Sequence, residues 1–163
     1  MQLTTEQLFD ISQSALVRLD GAWFLTLARK MGKAAAWDVD IAVWKHFSYV
    51  VGKMLRERFF PNPVWPGSFL EALEIFSTVM KMEGRSVTVS GDTIILQVTD
   101  CETQKAIAKA GIADCGIATV ETYQGLARGL FGKDFCLTVS HTKNLNRGDA
   151  YCEVVISRPA AKE

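Results

Sequence analysis

Near Gly84 the apolar residues of this chain change their period from three-to-four to two, and that switch limits what the chain can fold into. Upstream, Thr4 and Gln7 have the form of a capping box, and Leu8, Ile11, Ala15, Leu16 and Leu19 follow at helical spacing. This first helix is predicted to end near Asp20–Gly21. The run Ala22–Ala28 is too continuously apolar for a surface helix, so a second helix, buried on most sides, is expected up to Met31–Gly32. From Lys33 to Arg58 the positions Trp37, Ile41, Trp44, Ser48, Val51 and Leu55 trace the seam of a third helix. Pro61, Pro63 and Pro66 forbid regular helix, after which Ser68 is placed to cap a fourth helix carrying Phe69, Leu73, Phe76 and Met80.

Downstream of Gly84 the pattern alternates. Ser86–Ser90 and Thr93–Val98 flank Gly91–Asp92, a two-residue hairpin loop of the glycine-first kind, which pairs Val89 with Ile94 and Val87 with Leu96. Asp100 offers an N-cap for a short helix over Cys101–Ala110, and a longer helix is expected over Ala118–Phe131, with Val120, Tyr123, Ala127 and Leu130 on one side. Gly125 and Gly129 mark a thin face where a backbone or a ligand comes close. Phe135–Thr142 and Ala150–Ser157 then alternate strictly as a second hairpin. The expectation is an α+β fold in which N-terminal helices pack with a four-stranded antiparallel sheet made of two hairpins separated by helices. A single domain over 1–163 is expected, with a helical part at 1–84 and a sheet-containing part at 85–158.

Eighteen Lys plus Arg balance eighteen Asp plus Glu, which gives no electrostatic support for a nucleic-acid partner or an anionic membrane surface. No stretch approaches the roughly 18 apolar residues of a membrane span, and the first residues lack a secretory pattern, so a cytoplasmic protein is expected. Phosphate-binding glycine loops, nucleophile elbows and His-Glu-x-x-His are lacking.

All four cysteines, Cys101, Cys115, Cys136 and Cys152, fall in the second half of the chain. On the second hairpin His141 and Cys152 share the inward face, whereas Cys136 points away. If Val139 pairs with Val154, His141 stands opposite Cys152. Cys101 and Cys115, at helix starts, reach toward one end of the same sheet. Three thiols and one imidazole suit zinc or iron, so Cys101, Cys115, His141 and Cys152 are the candidate metal ligands. No C-x-x-C knuckle is present, and small buried hydrophobic cysteines are the competing reading. A third reading makes Cys101 a nucleophile activated by a helix N-terminus, with His141 as base. His46 reads as a partly buried helix histidine.

The segments Tyr123–Gly132 and Asn146–Ile156, with their spaced glycines and Gly148-Asp149-x-x-Cys152, resemble the 4-vinyl reductase type of small-molecule-binding domain. They are also similar to the L-2-amino-thiazoline-4-carboxylate hydrolase-like family, and Asp20–Phe24 with Gly32 and Val43–Trp44 looks like an uncharacterised prokaryotic group near these two. The resemblance implies a helical layer on a four-stranded sheet and an apolar ligand pocket, for which Trp44, Tyr123, Gly125 and Gly129 are the candidate lining. It also implies a cysteine-dependent hydrolase of small cyclic amides or thiazolines as the alternative activity. A homodimeric or partner-binding subunit is the third possibility, suggested by the abundance of Trp and Phe.

Overall fold

The computed structural model describes residues 2–159, so the ends of the expected 1–163 domain lie outside the described residues. Helices α1 (Thr5–Met31), α2 (Lys33–Phe59) and α3 (Gly67–Val79) precede strands β1 (Met82–Ser90) and β2 (Thr93–Cys101). Helices α4 (Glu102–Lys109) and α5 (Gly116–Phe131) follow, then β3 (Thr138–Lys143), a 3-10 turn at Leu145–Arg147 and β4 (Cys152–Ser157). The fold is α+β, with an antiparallel sheet in the order β1-β2-β4-β3. Among the described residues no helix is long and apolar enough to cross a membrane.

Two long helices open the chain where the sequence predicts three. The capping box forms, with the Gln7 N–H donating to Thr4 Oγ1 at 3.1 Å and the Thr4 N–H donating to Gln7 Oε1 at 2.9 Å. Helix α1 then runs through Asp20–Gly21, because one glycine costs a helix only about 1 kcal/mol and long helices absorb it. The break comes at Gly32, whose φ of +87° closes α1 and opens α2. The run Ala22–Ala28 is not core: Phe24 is its only buried member, and Trp23 and Leu25 are exposed. On α2 the buried line is Ala36, Asp40, Trp44, Ser48, Gly52 and Leu55, so the seam departs by one residue from the predicted one at three of its positions and coincides with it at Trp44, Ser48 and Leu55. His46 is exposed. Helix α3 buries Phe69, Leu73 and Phe76 as expected, but Ser68 does not cap it; its hydroxyl accepts from the Val64 N–H at 2.9 Å.

The first hairpin has the predicted register, Val87 opposite Leu96 and Val89 opposite Ile94. Ile94, Leu96 and Val98 are buried, whereas Val87 and Val89 stay exposed on the edge strand. In the second hairpin Val139 pairs with Ile156 and His141 with Val154, two residues away from the expected register, and an irregularity follows between His141 and Lys143. Gly148 in the loop takes a left-handed φ of +92°.

Phe69, Phe76, Leu96, Leu126, Leu130 and Ile156 anchor the core between sheet and helices. The principal helix pair is α2 against α5. A Cβ on Gly129 would stand 2.2 Å from the Tyr49 carbonyl oxygen and 2.9 Å from the Gly52 Cα, and one on Gly125 would stand 2.6 Å from the Lys45 carbonyl oxygen. These are backbone atoms of a helix, which cannot step aside, so overpacking here outweighs the gain in helix propensity. Gly129→Ala is therefore expected to destabilise the fold by about 2 kcal/mol, read from the midpoint of urea unfolding. A midpoint at or above that of the parent would show that α2 and α5 are not in this contact.

Candidate functional site

A cavity of about 80 Å³ lies between the inner sheet face and helices α4 and α5. Its floor is Val98 on β2 and Cys152 and Val154 on β4; its walls are Ile107 on α4, Ala118 and Tyr123 on α5, and Trp44 from α2. The lining is overwhelmingly apolar because β2 and β4 present their buried alternating residues to it. Cys101, Cys115, His141 and Cys152 all line this cavity, as do Trp44 and Tyr123. Gly125 and Gly129 do not, since they are spent on the α2 contact. Cys136 is exposed.

Each of the three cavity thiols sits at the end of an element. Cys101 ends β2 and itself caps α4, in place of Asp100, its sulfur accepting from the Gln104 N–H at 3.4 Å. Cys115 precedes α5 and directs its thiol to Asn144 Oδ1 at 3.7 Å. Cys152 begins β4, where its sulfur accepts from the Leu145 N–H at 3.4 Å. Burial pushes all three thiols up, Cys115 to about 12, and the neighbouring thiols push Cys101 and Cys115 in the same direction. The helix-terminal activation expected for Cys101 is thus overridden by desolvation. Among the described residues no group of three or more His, Cys, Asp or Glu side chains is arranged to hold a metal ion, so these four share a cavity without forming a coordination set.

His141 differs from its neighbours. Burial depresses its pKa, with Asp114 working the other way, so the imidazole is neutral near pH 7. Both ring nitrogens are buried and neither makes a well-formed hydrogen bond among the described residues, the Lys143 backbone offering only a weak one. The hydroxyl of Thr103, also on the cavity wall, is likewise buried and unpaired. The thiols are weak donors and acceptors, so this cavity has an apolar body and a small polar end with unused hydrogen-bonding capacity.

The loop after β3 closes over that end. Asp114 accepts from the Gly116 N–H at 2.8 Å and from Asn144 Nδ2 at 2.6 Å, and pairs with Arg147. Although partial burial opposes it, the Gly116 N–H and the Arg147 guanidinium hold the Asp114 carboxyl below its usual range. Gln104 of α4 bonds to Asn146 of the loop. Sequence reasoning did not identify Thr103, Ile107, Ala118 or Thr122 as lining, although Thr103 and Ile107, like Ala118 and Thr122, stand four apart and so share a helix face.

The chain belongs to a family of unknown function, DUF6125, whose model matches residues 1–152. That match does not support membership of the 4-vinyl reductase type or the thiazoline-carboxylate hydrolase-like family, which the C-terminal motifs resemble. No curated protein matches the sequence. Among solved structures, the crystal structure of the phenol-responsive sensory domain of the transcription activator PoxR, with phenol, is similar at 10% identity and a TM-score of 0.57. The match covers 93% of this chain and 76% of that one, and at this identity the shared feature is the fold.

The thiol environments give a direct check. With Cys136 exposed and the other three protonated and enclosed, iodoacetamide at pH 7.5 is expected to alkylate Cys136 first, leaving Cys101, Cys115 and Cys152 unmodified until denaturant is added. Peptide mass spectrometry reads the order. Rapid labelling of Cys101 in the folded protein would contradict the description of a suppressed thiol.

Proposed function

We propose that this protein is a small-molecule-binding module whose ligand is compact, largely apolar and equipped with one hydroxyl or carbonyl group. The observation that carries this reading is His141: a neutral imidazole with two unpaired buried nitrogens at the end of an apolar cavity. A buried donor or acceptor left unpaired costs about 1–3 kcal/mol, and a ligand hydroxyl placed there recovers much of it. The apolar walls favour a hydrocarbon body, and Trp44 and Tyr123 offer aromatic faces to it. The structural likeness to a phenol-responsive sensory domain is in keeping with a ligand of this kind.

A volume of about 80 Å³ holds only a few carbon atoms without adjustment, well under the ~150 Å³ of an engineered cavity that takes benzene. Helix α4 is the wall suited to give way, because none of its residues is fully buried and it is only eight residues long. A single-ring ligand then fits if α4 moves outward with the loop to which Gln104 ties it. The cysteine-hydrolase alternative has less support, since it requires a thiolate at Cys101 where burial disfavours one. A metal at Cys101, Cys115, His141 and Cys152 would need side chains to move toward one another, since among the described residues they do not form a ligand set.

Thermal unfolding with isobutanol, cyclopentanol and phenol tests the reading. At least one is expected to raise Tm by a few degrees at saturation, since ligand at 100 times its Kd adds about 2.7 kcal/mol. Thr122→Phe, which fills the cavity, is expected to remove the shift. His141→Leu is expected to weaken hydroxylated ligands about fivefold while leaving the matching hydrocarbons unaffected, because one hydrogen bond is worth about 1 kcal/mol. Absence of any shift with all three compounds, or an unchanged shift in Thr122→Phe, would refute it.

A further inference from the structure

A second cavity, of about 260 Å³, lies between the middle of α1, the first half of α2 and the last turn of α4. Its apolar wall is Phe24 and Leu25 of α1 with Ala106 and Ile107 of α4. Its polar end is two carboxylates, Asp20 and Asp40. Asp40 is only 4% exposed as a residue, and its carboxylate, whose remaining surface opens at this cavity, makes no side-chain hydrogen bond or ion pair among the described residues. A buried, unpaired carboxylate beside a second carboxylate is costly, and natural proteins pair such groups or bring them to a ligand.

The charged groups around the pair do not provide that partner. Lys109 of α4 lines the cavity without forming an ion pair with either carboxylate, and Lys33 of α2 has its Nζ beside Gly111, beyond the end of α4. The last turn of α4 brings the negative pole of a helix to the same place, which favours a cation again. A hard divalent cation would need about six oxygen ligands, and walls of Phe, Leu, Ile and Ala supply none beyond the two carboxylates. An ammonium group on an apolar body matches both halves of the cavity.

We propose that this cavity is a second binding site, distinct from the one beside His141, for a small organic cation: a primary ammonium held by Asp40 and Asp20, with its hydrocarbon part against Phe24, Leu25 and Ile107. Without ligand, burial raises the Asp40 pKa to about 7, with the charge of Asp20 adding to it, and burial raises Asp20 to about 6. The empty site therefore keeps a proton up to neutral pH, and an arriving ammonium displaces it. Affinity then rises with pH as the carboxylates ionise, while the amine stays charged.

The test is a two-dimensional NMR titration of the full chain with benzylamine hydrochloride, and with benzyl alcohol as the uncharged control, at pH 5.5 and pH 8. Benzylamine is expected to shift the amides of Gly21, Ala106 and Ala110 saturably, about tenfold more tightly at pH 8, and benzyl alcohol is expected to leave them unmoved. Asp40→Asn is expected to weaken benzylamine at least tenfold; Asp20→Asn, at a less buried position, supplies the same reading should the first variant fail to fold. Lys109→Met is expected to retain or strengthen binding. Equal shifts from the alcohol, a pH-independent affinity, no binding in either the parent or Lys109→Met, or shifts confined to residues around Tyr123 would overturn the proposal.

Discussion

Helix α5 can lie on α2 only because glycines remove the side chains between them. Gly52 faces Leu126 and Leu130, and Gly125 and Gly129 face Ser48, Tyr49 and Lys53, at separations where a methyl group would strike backbone. That contact fixes the height of α5 above the sheet, and so the size of the cavity beneath its first turns. Ala118, Thr122 and Tyr123, which wall the cavity, lie within two turns of Gly125 on the same helix. Trp44, one turn before Ser48 on α2, enters the cavity because α2 is held to the same line.

Much of the architecture is legible because period and punctuation agree. The change of period near Gly84, the glycine-first hairpin and the apolar line of α3 all translate directly, because each rests on local geometry that tertiary packing does not overrule. The misreadings have physical causes. Asp20–Gly21 has the composition of a helix stop, but a glycine inside a 27-residue helix is affordable, and the stop falls at Gly32, where φ is positive. The α2 seam departs from the expected one at Ala36, Asp40 and Gly52, because small or polar residues, which carry no apolar signal in a sequence, occupy those buried positions, Gly52 directly against α5. The register of the last hairpin depends on a long loop with a 3-10 turn, whose geometry alternation does not encode.

The site is legible in a different sense. The inward face of the second hairpin and two helix starts bring His141, Cys152, Cys101 and Cys115 to one cavity from four separate stretches of chain. What they do there depends on solvation, which spacing does not report. The same burial that gathers the thiols keeps them protonated, and it leaves His141 neutral and unpaired. The thin face of Gly125 and Gly129 suits either a backbone or a ligand, and it is the backbone of the neighbouring helix that uses it.

The polar end of the cavity leaves buried hydrogen-bonding groups unpaired, and under the proposed function a bound ligand relieves them. The ring nitrogen-15 shifts of His141, with exposed His46 as internal reference, test this most directly in a titration with phenol at pH 7. The predicted result is a neutral ring in the free protein, followed by a saturable change at one ring nitrogen as it takes a hydrogen bond from or to the ligand. A ring already protonated at pH 7, or shifts of His141 that stay constant through the titration, would contradict the assignment of this cavity as the binding site.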